Sequence, residues 1–139
     1  MHAPSSFDYA LLRVVPRVER QEFINAGVVV YCPEKRFLAA RIRLDEARLK
    51  ALWPDADVAL IQEHLRAVER ICAGDASAGP IATLSLGERF HWLTSPRSTI
   101  IQPSPVHTGV CKATDALLDS LEAQFLSQLA EEKSGIAGS

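Results

Sequence analysis

Paired cysteines are missing from this chain. Its three, Cys32, Cys72 and Cys111, are widely spaced and form no C-x-x-C pair. That argues against a disulfide framework and for a reducing compartment, so a cytoplasmic location is expected. Long apolar runs are missing too: the longest, residues 26–32, falls far short of the ~20 residues a membrane-spanning helix needs. Met1-His2-Ala3-Pro4-Ser5-Ser6 has neither a charged n-region nor an apolar h-region, so no signal peptide is expected. No Walker loop, G-x-G-x-x-G turn or G-x-S-x-G elbow occurs, which removes the usual signatures of phosphate-loop and serine-nucleophile chemistry. His107 and Cys111 lie four apart without a second ligand pair, and His64 follows Glu63 without the second histidine of a zincin. Neither a metal site nor a cofactor is expected. Aromatics make up 6% of the chain and the pI is near 6.1, which counts against nucleic-acid binding.

The chain does have the makings of one core. Its 139 residues are 47% hydrophobic and 23% charged, proportions of a single globular domain. That domain is expected over residues 7–132, with flexible termini at 1–6 and 133–139. The net charge of −2 is unevenly spread: residues 1–50 carry +3 and residues 51–139 carry −5. Such asymmetry fits either a polar site, a self-complementary surface, or solvated acidic helices.

Residues 7–15 read as a strand apolar on both faces apart from Arg13, and so as a central one; Pro16 is expected to end it. Asn25-Ala26-Gly27 punctuates the chain before a second strand at 28–32. Beyond the turn at 33–36, a third strand over 37–44 completes a hairpin. Asp45 and Asp57 are N-caps for helices, the second carrying the stripe Val58, Ile61, Leu65, Val68 and Cys72. Ser85 to Glu88 spells a capping box for a short helix over 86–93. Residues 98–102 form a brief strand, 106–111 a loop or strand, and Thr114 caps a last helix marked by Leu118, Leu121, Phe125 and Leu129. The expected fold is α+β: a small antiparallel or mixed sheet of three to four strands with helices mainly on one face, the last beside the helix at 58–72.

Two polar clusters are candidates for chemistry. In Ser95-Pro96-Arg97-Ser98-Thr99, one guanidinium sits among hydroxyls and turn N–H groups, a donor set suited to phosphate or carboxylate, with Gln102 and His107 following. The same residues could equally satisfy turn backbone and an internal acid. The second cluster is Arg13, Arg17 and Arg20 with Glu19, Glu22 and Asn25. Arg13 interrupts an apolar strand and needs a partner, either an acid of the fold or a ligand. An anion site built from Arg97, Ser98, Thr99, Gln102, His107, Arg13 and Arg17 requires the two clusters to meet. Arg41 and Arg43 with Lys35 and Arg36 form a separate basic strip.

The segment Tyr9-Ala10-Leu11-Leu12-Arg13-Val14-Val15-Pro16-Arg17-Val18-Glu19-Arg20, then Glu22-Phe23-Ile24-Asn25-Ala26-Gly27-Val28, resembles the bacterial family called domain of unknown function 3037. Arg89-Phe90-His91-Trp92-Leu93, Pro96-Arg97-Ser98-Thr99-Ile100-Ile101-Gln102 and Ser104-Pro105-Val106-His107-Thr108-Gly109 are similar as well. The resemblance covers roughly residues 7–130. It implies a bacterial cytosolic protein with no assigned activity, and an accessory role beside a HipA-like kinase. The expected function is therefore a non-enzymatic interaction module, acting with another protein or as a homodimer. The alternatives are an enzyme or sensor for a phosphorylated small molecule or nucleotide, and a nucleic-acid-binding or nuclease-like protein.

Overall fold

The structure, a computed structural model, describes residues 3–17, 20–97 and 99–126. The chain runs β1 (Ser5–Arg17), β2 (Glu22–Cys32), β3 (Phe37–Ile42), α1 (Glu46–Leu52), α2 (Val58–Ala73), α3 (Leu86–Thr94), β4 (Ile101–Pro103), β5 (His107–Cys111) and α4 (Leu117–Phe125). Two short 3-10 turns, Ala76–Ala78 and Pro80–Thr83, join α2 to α3. The fold is α+β, as expected, around an antiparallel five-stranded sheet. Its order is β3-β2-β1-β4, and β5 also pairs with β1. β1 is central, matching its apolar faces. It begins at Ser5, inside the segment expected to be loose, because Ser5 and Ser6 pair with Cys111 and Val110.

Three local differences from the sequence reading have physical causes. Pro16 does not end β1: the strand continues to Arg17, and the proline falls where the β1–β2 register is already broken between Val14 and Arg17, so no ladder donor is lost. Asn25-Ala26-Gly27 does not break the chain but lies inside β2. Leu12 pairs with Gly27 and Arg13 with Asn25, leaving Ala26 as the extra residue of a β-bulge. A Cβ at Gly27 would stand 2.8 Å from Ile42 Cδ1 and 3.2 Å from the Arg41 carbonyl oxygen, which is why the bulge carries glycine. Thr114 does not cap α4 with its side chain; the helix starts from Ala116, and the Leu117 N–H donates to the Thr114 carbonyl at 3.2 Å. Leu129 lies outside the described residues.

β4 and β5 are one broken edge strand. Pro103 and Pro105 interrupt it, and Ser104 bridges the break. The Leu11 N–H donates to Ser104 Oγ at 2.8 Å, and the Ser104 N–H donates to the Leu11 carbonyl at 2.8 Å. Ser104 is 2% exposed, so this hydroxyl replaces a ladder carbonyl in a dry place.

The helices divide between the faces. α1, α2 and α3 cover one face, over Ala10, Leu12, Val14, Ile24, Ala26 and Val29. Asp45 and Asp57 cap α1 and α2 through their side chains, and the Ser85–Glu88 capping box opens α3. Arg89 ties α3 to the C-terminal end of α2, donating from Nη1 to the Ile71 and Cys72 carbonyls at 2.8 and 3.0 Å. α4 does not join them beside α2; it packs on the opposite face. Val28, Val30 and Cys32 alternate with Val29 and are all fully buried, so β2 needs cover on both sides. Leu121 and Leu126 supply it. No helix among the described residues is long and apolar enough to cross a membrane.

Candidate functional site

α2 and α3 leave the β4 edge of their face open. The resulting groove has a volume of about 340 Å³. Leu12, Val68, Ile71 and Leu93, all buried members of the core, form its apolar bed. Ile100, Ile101 and Pro103 form the wall along β4, while Ala67, with only a methyl group, leaves room on the α2 side. Polar character comes from His64, Thr99 and Arg97.

Arg97 is held by the last turn of α3. Its guanidinium lies 4.5 Å from the centre of the Trp92 ring. Nη2 donates to the Trp92 carbonyl, and Nε to the Ser95 carbonyl at 3.4 Å. A cation over the free carbonyls of a helix C-terminus is favourably placed. These bonds use two of five guanidinium N–H groups, and no carboxylate pairs with Arg97 among the described residues. The arrangement presents a fixed positive charge beside an apolar trough.

The remaining expected site residues scatter. Thr99 lines the groove but donates its hydroxyl to the Ile101 carbonyl at 2.8 Å. Gln102 donates Nε2 to the Thr99 carbonyl at 2.9 Å. Ser98 lies outside the described residues, as does Glu19. Gln102 pairs in register with Arg13, and His107 with Tyr9, whose rings lie 5.4 Å apart. Directly opposed residues share a sheet face. Arg13, Gln102 and His107 therefore sit on the α4 side, across the sheet from the groove. Arg17 is exposed at the end of β1, opposite Glu22. The structure thus brings Arg97 and Thr99 together and keeps both away from Arg13 and Arg17.

Arg13 has no carboxylate partner among the described residues; its guanidinium lies 4.3 Å from the centre of the Phe23 ring. Near this strand end Arg20 forms an ion pair with Glu22, at 2.6 Å on the surface. The Arg41/Arg43 strip is engaged by α4. Arg41 Nη1 donates to Asp119 Oδ1 at 2.8 Å and to Glu122 Oε1 at 2.5 Å, and Arg43 Nη1 donates to Glu122 Oε2 at 3.1 Å. Burial pushes the Cys72 thiol up to about 12 and also raises that of Cys111, while Cys32 is fully buried.

A family model described as protein of unknown function (DUF3037) matches residues 9–126. The chain belongs to the DUF3037 family. No curated protein and no solved structure matches it. The matched span of this DUF3037 domain contains every groove residue, from Leu12 to Pro103. Sequence reasoning singled out Arg97 and Thr99 but missed His64, Ala67 and Trp92. The available signal was helical spacing: His64, Ala67, Val68 and Ile71 recur at steps of three and four, one face of α2.

Proposed function

We propose that this DUF3037 domain is a non-enzymatic interaction module, and that its α2–α3–β4 groove takes an apolar, acid-bearing segment of another protein. One observation carries the reading: a permanent cation, Arg97, has no carboxylate partner among the described residues and stands on an exposed tryptophan at the lip of an apolar trough. Tryptophan and arginine are the residues most enriched where binding energy concentrates. Apolar side chains of the segment would fill the space beside Ala67, and its carboxylate would take the guanidinium N–H groups that no described residue engages. The resemblance to a family encoded beside HipA-like kinases makes such a kinase the first partner to test.

Selection of random dodecapeptides on the full chain tests this. Enriched peptides should join bulky apolar residues to Asp or Glu, and should lose binding to Ala67→Trp and Arg97→Gln. Peptides that bind both variants as well as the parent chain would refute the reading.

A second reading, a small amphipathic phosphate or carboxylate in the same groove, is favoured by its volume. The groove, at about 340 Å³, lies at the small end of ligand pockets, which run from about 300 to 1,000 Å³. Octyl phosphate quenching or shifting the Trp92 fluorescence, with no effect from octylammonium, would support this version.

A further inference from the structure

Across the sheet, Arg13 Nε and Asn25 Oδ1 are buried and have no hydrogen-bond partner among the described residues. They belong to residues paired in register on β1 and β2, beside the bulge at Ala26. Bulges commonly re-aim side chains at functional sites, and an unsatisfied buried polar atom is costly enough to need a reason. The two orphans are opposite in sense: Nε–H donates and Oδ1 accepts. A carboxylate or phosphate, offering acceptors alone, satisfies only Arg13; an ammonium, offering donors alone, satisfies only Asn25. The complementary ligand has an edge with an acceptor next to a donor. Phe23, 44% exposed, lies with its ring centre 4.3 Å from the Arg13 guanidinium. A ligand reaching the pair would have to displace this surface ring from the guanidinium and lie against its face.

We propose that Arg13, Asn25 and Phe23 form a second site, for a nucleobase: the base edge accepts from Arg13 Nε–H and donates to Asn25 Oδ1, and its plane stacks on Phe23. Stacking on an aromatic side chain is available to every base, while the donor–acceptor edge selects among them. A peptide carboxamide offers the same edge without the aromatic plane. The site is independent of the groove, which lies on the other face and has its own cation.

The test is a chemical-shift titration of the full chain with each nucleoside monophosphate at millimolar concentration. It reads the Arg13 Nε–H and the Asn25 backbone amide, with acetamide and formate as controls. At least one nucleotide should shift both signals, formate and acetamide neither. Phe23→Ala, a surface change, should weaken binding about tenfold. Asn25→Asp should abolish it by closing an ion pair with Arg13, with the folded spectrum intact. The proposal is overturned if no nucleotide shifts either signal, as when a bound water alone bridges the two atoms. Acetamide acting as strongly as the nucleotides, or binding that survives Asn25→Asp, would overturn it equally.

Discussion

Replacing Ser104 by alanine removes two hydrogen bonds. One is dispensable: the hydroxyl donates to the Pro105 carbonyl at 2.9 Å, and Pro105 is exposed, so water can take its place. The other is not. The Leu11 N–H has Ser104 Oγ as acceptor at 2.8 Å, in the middle of the central strand. A buried donor left unpaired costs about 1–3 kcal/mol, and a dry site beside two prolines places Ser104→Ala toward the upper half of that range. For 139 residues, an unfolding entropy near 2.1 cal/mol/K per residue converts about 2 kcal/mol into a fall in Tm of about 7 °C. Urea denaturation of the parent chain, Ser104→Ala and Ser95→Ala would measure it. Ser95, whose hydroxyl bonds the His91 carbonyl at the surface, should change stability by less than about 0.5 kcal/mol. In Ser104→Ala the Leu11 amide should also exchange faster. A Ser104→Ala protein within ~0.5 kcal/mol of the parent, with Leu11 still protected, would refute the claim that this hydroxyl completes the edge ladder.

Gly109→Ala places a Cβ 2.5 Å from Phe7 Cζ and should cost about 1–3 kcal/mol by overpacking; Phe7→Leu in the same chain should recover part of it in a double-mutant cycle. Glu122→Gln loosens the clamp of α4 on Arg41 and Arg43. Its effect should stay within about 1 kcal/mol and shrink in 1 M salt, because these groups are partly solvated. Glu88 is held below its ordinary pKa by hydrogen bonds from Ser85. A depressed folded pKa gives stability that is present above the unfolded value of about 4.3 and is lost as pH falls through the folded pKa. The gap between the parent chain and Glu88→Ala should therefore be full at pH 7 and close on acidification, as pH-dependent thermal melts would show.

Much of the scaffold was legible because local chemistry decided it. The α2 stripe, the aspartate caps and the Ser85–Glu88 box depend on neighbours within one turn, and each helix formed where its pattern stood. The doubly apolar β1 announced a central strand. What stayed hidden was set across the sheet. Apolar residues on both faces of β2 demand two covers without saying which helix supplies each, so the side taken by α4 could not be read. A bulge at Ala26 looks in sequence like a turn. The same holds for the site: Arg13 and Arg97 are both cations near prolines, but the parity of β1 turns Arg13 to the α4 side while the end of α3 holds Arg97 at the groove. Trp92 became a groove residue through the packing of α2 against α3, a long-range event with no local mark.

Chemical-shift mapping of the full chain with a selected acidic-apolar dodecapeptide tests the groove most directly. Perturbed amides should concentrate in residues 64–71, 92–97 and 99–103, and the perturbation should vanish in Arg97→Gln. Shifts gathered on β3 or α4 instead, or unchanged by that substitution, would contradict the assignment of this groove as the place where the domain meets its partner.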